Sequence, residues 1–129
     1  MINHPSYKFF EEHWNDPKHH IHCSAVLKAC LGMIQDTDLN PEVFIVAAWI
    51  HDMGKLRDKE NHHVESMHYL DLFMQEYPQF RGIYDTVKDC IIHHRTHGTP
   101  QTLYGQIFQV ADKVALENKG WKAFKKAQE

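Results

Sequence analysis

Eight apolar residues in unbroken succession, Val43–Ile50 (VFIVAAWI), run directly into His51 and Asp52. No other stretch restricts the fold of the chain so tightly. A helix that is apolar on every side has no face to give to water, so it must lie inside, wrapped by the rest of the chain. Its end then sets an imidazole and a carboxylate at the floor of the core, where polar groups are costly unless compensated. A divalent cation is the most economical compensation, and both side chains are metal-ligand types. The run HDMGK at 51–55 closes with Gly54, which fits a left-handed helix stop, and with Lys55.

The remaining sequence can supply the wrapping. Strand-like alternation is absent, Gly and Pro number only 6 and 5 in 129 residues, and apolar residues recur at steps of three and four. The expectation is an all-α, single-domain helical bundle of about six helices, with 1–129 as one domain. A short amphipathic helix is expected over 6–15, with Phe9, Phe10 and Trp14 inward, broken by Asp16 and Pro17. A second helix over 18–34 places Ile21, His22, Ala25, Val26, Ala29, Cys30 and Met33 on its inward stripe. Asn40 and Pro41 open the buried third helix. Asn61 is placed to cap a fourth over 62–76, with Val64, Met67, Leu70, Leu72, Phe73 and Met74 available for packing. A fifth, over 80–94, buries Ile83, Tyr84, Val87, Cys90 and Ile91, and a last, over 103–118, buries Ile107, Phe108, Ala111, Ala115 and Leu116. Residues 119–129 are basic and read as a surface tail with Trp121 and Phe124 folding back.

Histidine is the second constraint. There are 12 in the chain, clustered at 19–22, 51, 62–68 and 93–97, the ends of the expected helices. Surface or capping places account for some of them, among them His68 in mid-helix. His22 is different, because it sits on an apolar face one turn before Val26. Asp112 likewise falls among Phe108, Ala115 and Leu116, and a carboxylate there needs a cationic partner or a metal. His62 or His63 in the first turn of the fourth helix, and His93 or His94 in the last turn of the fifth, are free to face a neighbouring helix end. The candidate metal ligands are therefore His22, His51, Asp52, His62 or His63, His93, His94 and Asp112. Such an N/O set without thiolates suits Fe, Mn, Co, Ni or Zn, with Mg at the carboxylate-rich end. It exceeds what one tetrahedral ion needs, so two ions sharing Asp52 is the natural arithmetic.

In this order the residues resemble the HD-domain metal-dependent phosphohydrolases, over about residues 18–118. His22 with Val26 resembles the opening HxxxV element of that family, HDMGK at 51–55 its HDxGK signature, and His62 with Ser66 its HxxxS/G element. IIHH at 91–94 resembles its HH, and VADK at 110–113 its closing AD. The resemblance implies a helical bundle in which His22, His51, Asp52 and Asp112 hold one metal ion. In two-metal members His62, His93 and His94 would hold a second, bridged through Asp52. It also implies hydrolysis of a phosphate ester or anhydride of a nucleotide or other small phosphorylated compound, with Asp52 and Lys55 as catalytic residues. Arg57, Arg95 and Lys113 are further cationic candidates, expected at the surface.

The sequence also departs from parts of that pattern. RTHGTP follows His94 in place of the GYP segment of the cyclic-dinucleotide phosphodiesterase branch, and Lys18 stands where trinuclear members carry an acidic ligand. HHRTHG and FQVADKVALE resemble small bacterial HD hydrolases acting on nucleotides, including dinucleoside polyphosphates. Two other functions fit the same ligands: a non-catalytic metal- or nucleotide-binding regulatory module, and a di-iron oxygenase on the same scaffold. A net charge of −3 without a Lys/Arg run argues against nucleic-acid polymers and membrane surfaces as partners. With no apolar run near the roughly 18 residues of a membrane span and three cysteines lacking CxxC spacing, the expected setting is cytoplasmic.

Overall fold

Prolines open the first three helices, each behind a side-chain cap. Pro5, Pro17 and Pro41 stand at the starts of α1 (Pro5–His13), α2 (Pro17–Met33) and α3 (Pro41–Ile50). Their missing N–H groups would be unpaired there in any case. The His4 ring, the Asp16 carboxylate and the Asn40 amide oxygen accept from the Ser6, His19 and Glu42 N–H groups respectively. Asn15, at φ 41°, turns the chain between α1 and α2 in the left-handed region that Asn tolerates. The computed structural model describes residues 4–117; α4 (His62–Glu76), α5 (Tyr84–Ile92) and α6 (Leu103–Leu116) complete six α-helices, with 3-10 helices at Met53–Leu56 and Pro78–Ile83. No strand occurs among the described residues, and the fold is all-helical. The segment carrying Trp121 and Phe124 lies outside them.

All five other helices pack against α3. Its residues Val43–Ile50 are all buried. Fully buried Phe44, Val46 and Ile50 each contribute roughly 1.5–3 kcal/mol of transfer free energy, which anchors the end of the helix. Phe9, Phe10, Leu70, Phe73, Val87, Ile91 and Phe108 close the core around it.

Several local expectations are corrected. The buried stripe of α2 is His19, His22, Cys23, Val26, Leu27 and Cys30, rotated from the expected one, and Met33 is exposed. The rotation follows from α2 being held between α3 and α6, which together cover a wider face than one partner would. Val64 and Leu116 are exposed too. Asn61 does not cap α4; its amide donates to the Asp58 carboxylate at 3.0 Å instead. The expected fifth helix is a 3-10 turn followed by the shorter α5, and it stops at Ile92, before the His93–His94 pair.

Gly54 is the most informative correction. No glycine described has a positive φ, so it is not a left-handed stop. It sits inside the 3-10 turn because α4 presses on it: a Cβ there would lie 2.2 Å from the His62 carbonyl oxygen and 2.4 Å from the Ser66 nitrogen. Ser66 fastens the same contact. Its Oγ donates to the His51 carbonyl at 2.7 Å and accepts from the Gly54 N–H at 2.8 Å.

Candidate metal centre

That close approach brings the first turn of α4 beside the end of α3, while α2 and α6 arrive from the other side. Two carboxylates and four imidazoles meet there. His22 Nε2 lies 2.9 Å from Asp112 Oδ1 and 3.5 Å from Asp52 Oδ2. His51 Nε2 lies 3.3 Å from Asp52 Oδ2 and 3.4 Å from Asp112 Oδ1. On the opposite oxygen, Asp52 Oδ1 is 3.2 Å from His62 Nε2 and 3.7 Å from His94 Nε2. Asp52 thus divides the cluster into two halves, with His22, His51 and Asp112 at one oxygen and His62 and His94 at the other. Lys55 Nζ stands 3.8 Å from Asp52 Oδ2.

Three of the rings are aimed by the same local device. Nδ1–H of His51 donates to the Ala48 carbonyl at 2.8 Å, that of His62 to the Lys59 carbonyl at 3.0 Å, and that of His94 to the Ile91 carbonyl at 2.5 Å. A carbonyl oxygen only accepts, so the proton is fixed on Nδ1 and the Nε2 lone pair points inward.

The consequences are electrostatic. His62 Nε2 and His94 Nε2 face each other at 3.0 Å, and His51 Nε2 faces two carboxylates without an aligned hydrogen bond. Lone pairs converging on carboxylate oxygens repel unless a cation or proton lies between them. His22, His51 and Asp112 offer ligand atoms within 4.8 Å of one another, as do His51, Asp52 and His94. The donor set fits divalent metal. Cys23 is buried nearby, where burial and the charges of Asp52 and Asp112 raise its thiol well above the usual range, and its sulfur belongs to none of the clusters of ligand atoms among the described residues.

The same arrangement sets proton affinities. Burial opposes ionisation of Asp52, but the neighbouring His51 and His62 rings and the Lys55 charge outweigh it and hold the carboxyl well below its usual range. Asp112 is held low against burial by His22 and His51. Burial also pulls the His51 ring down, yet Asp52 and Asp112 overcome this and raise it. Burial, together with the His51 charge, pushes His94 down to about 4.

In metal-free protein these shifts predict how stability follows pH. Between pH 6.5 and about 4 the unfolded chain takes up a proton that folded His94 refuses. Stability therefore falls across that window as pH falls, on the order of 3 kcal/mol from this group. Asp52 and Asp112 contribute above the ordinary carboxylate value and lose that contribution only as pH drops through their lower folded values. His51 acts in the opposite sense, its contribution being complete below 6.5 and lost as pH rises through its raised folded value. Urea unfolding in chelator from pH 4 to 8 should show stability rising from pH 4 to 6.5. A flat profile there would show that His94 is not held neutral.

The cluster forms the floor of a cleft of about 660 Å³. Lys55, His63, His93, Arg95 and His97 line its walls. His93, expected as a ligand, is not gathered around Asp52. As the C-cap of α5 its ring turns toward Asp89 Oδ1, at 3.9 Å, and the Thr99 N–H, while the chain leaving the helix carries His94 inward. His63 likewise turns outward and meets the Arg95 guanidinium. Arg57 pairs with Glu65 at 2.8 Å, and Lys113 lines a smaller adjoining cavity beside Asp112. His68 is exposed. Arg95, a cationic candidate expected at the surface, is exposed and also lines the cleft. Its position one residue past His94 was the only available signal of the cleft, because the chain doubles back immediately after the pair.

None of the described helices is long and apolar enough to cross a membrane. The family model described as HD domain matches residues 20–117, more than half of the chain. No curated protein and no solved structure matches it.

Proposed function

Because the chain belongs to the HD domain family, a superfamily of metal-dependent phosphohydrolases, we propose that it hydrolyses a phosphate ester or anhydride of a small phosphorylated compound, a nucleotide first among them. The observation that supports this best is the division of the site by Asp52, with one oxygen toward His22, His51 and Asp112 and the other toward His62 and His94. His22, His51, Asp112 and Asp52 Oδ2 would hold one divalent ion; His62, His94 and Asp52 Oδ1 would hold a second. Such a pair acidifies water and neutralises phosphate charge in the transition state.

The chain's own residues supply the rest. Asp52, shared between the halves, accepts a hydrogen bond from the attacking water and so fixes its direction. The Lys55 ammonium stands at the cleft wall next to Asp52 Oδ2, where it can turn to a phosphate oxygen. The core beneath, with His51 fully buried, closes the site on the side away from the cleft. His93 and His63 belong to the walls in this reading and not to the ligand set.

The test is phosphate release from a panel of nucleotides and phosphomonoesters by protein loaded with Mn²⁺, Fe²⁺, Co²⁺, Ni²⁺, Zn²⁺ or Mg²⁺ in turn. Turnover of at least one member with at least one ion is expected, and it should vanish on chelation. If metal-loaded protein hydrolysed nothing in the panel, a regulatory metal- or nucleotide-binding module would replace the enzyme reading.

A further inference from the structure

Among the described residues, two side chains with permanent positive charge line the cleft, Lys55 and Arg95. Lys55 lies against Asp52. Arg95 has no carboxylate within ion-pairing distance among the described residues, whereas Arg57, outside the cleft, is paired with Glu65. Arg95 is nevertheless held in one place. Its Nη1 donates to the Glu60 carbonyl at 2.9 Å and to His63 Nδ1 at 3.0 Å. Guanidinium cannot accept, so His63 must present a lone pair, and the ring serves as a neutral rest for the cation. Both Nη1 hydrogens are used, which leaves Nε and Nη2 uncommitted among the described residues.

The backbone under Arg95 is fixed as well. The Gln109 amide donates to the Arg95 carbonyl at 2.8 Å and to the Gly98 carbonyl at 3.0 Å. A Cβ at Gly98 would lie 2.3 Å from the His93 carbonyl oxygen, so the turn closes tightly on the end of α5. Asp89 then ties down the exit of the loop by accepting from the Gln101 and Thr102 N–H groups and the Thr102 hydroxyl. A preset guanidinium with a free donor edge, beside a cleft whose floor suits metal and phosphate, matches an anion in planar, two-pronged fashion.

We propose that Arg95 binds a second anionic group of the substrate, so that the cleft favours compounds carrying a diphosphate or longer phosphate chain over simple phosphomonoesters. This rests on the phosphohydrolase reading for what lies at the floor, and Arg95 is a specificity-determining residue within it. His63 positions the guanidinium.

Binding tests this apart from turnover. Mn²⁺-loaded protein, freed of excess ion, is titrated calorimetrically with methylenediphosphonate and with methylphosphonate. Arg95→Gln should weaken methylenediphosphonate binding about tenfold or more while leaving methylphosphonate within about twofold, and Arg95→Lys should restore part of the loss. Equal weakening of both ligands, as a loosened loop would give, overturns the proposal, and so does no change in either. Since Arg95 is exposed, the variants should melt like the parent, and metal content measured after titration guards against stripping. Arg95-dependent binding without hydrolysis of any panel compound keeps this proposal and removes the enzyme reading. Hydrolysis without that dependence does the reverse.

Discussion

Asp52→Ala is expected to empty the centre of metal and to lower phosphate release by at least about a thousandfold. The size of the effect follows from geometry. Among the described residues Asp52 is the only group whose two oxygens reach both halves, lying within 3.2–3.7 Å of four imidazole nitrogens. Without it, His62 and His94 retain no anionic partner in that half, and two neutral imidazoles hold a divalent ion poorly. The other half keeps His22, His51 and Asp112, but loses the charge that offset a second cation. Elemental analysis of wild type and variant after identical loading gives the stoichiometry, and phosphate release gives the rate. A variant that kept the full metal content of the wild type would refute the bridging role, whatever its activity.

Gly54→Ala should be the most damaging single-methyl change in the described chain. The added carbon would stand 2.2 Å from one backbone atom and 2.4 Å from another, both on α4 and neither able to rotate away. Relief requires α4 to move off the 3-10 turn, which breaks the Ser66 hydrogen bonds to the His51 carbonyl and the Gly54 N–H. Overpacking combined with two lost buried hydrogen bonds costs about 3 kcal/mol or more. The expected reading is a melting temperature lower by about 10 °C, together with metal binding weakened at the half that contains His62. Melting unchanged within about 2 °C would mean that the helices are not in the contact described.

How much of this was legible in the sequence depended on how local the cause was. The buried α3 could be read directly, because eight apolar residues leave one solution. His22 and Asp112 could be placed inward because each interrupts an apolar stripe. The choice between His62 and His63, or between His93 and His94, was not legible. Those residues lie at helix ends, where direction depends on the residue at which the helix stops, and α5 stops at Ile92, two residues earlier than the apolar spacing suggested. Gly54 invited a backbone explanation because glycine often provides one; the true cause is a neighbour twelve residues away that no local pattern records. Arg95 looked like surface charge, and it is exposed, but the folding-back of residues 95–98 turns that exposure toward the cleft.

The aim of three rings is written within four residues of chain, from His51 to Ala48, His62 to Lys59 and His94 to Ile91. Their meeting place is written by helix packing, and the surroundings of the cleft by the loops between helices. Inheritance can therefore act on these layers separately. Substitutions at 95–99, whose residues line the cleft, can change which molecule is admitted while the ligands at its floor keep their aim.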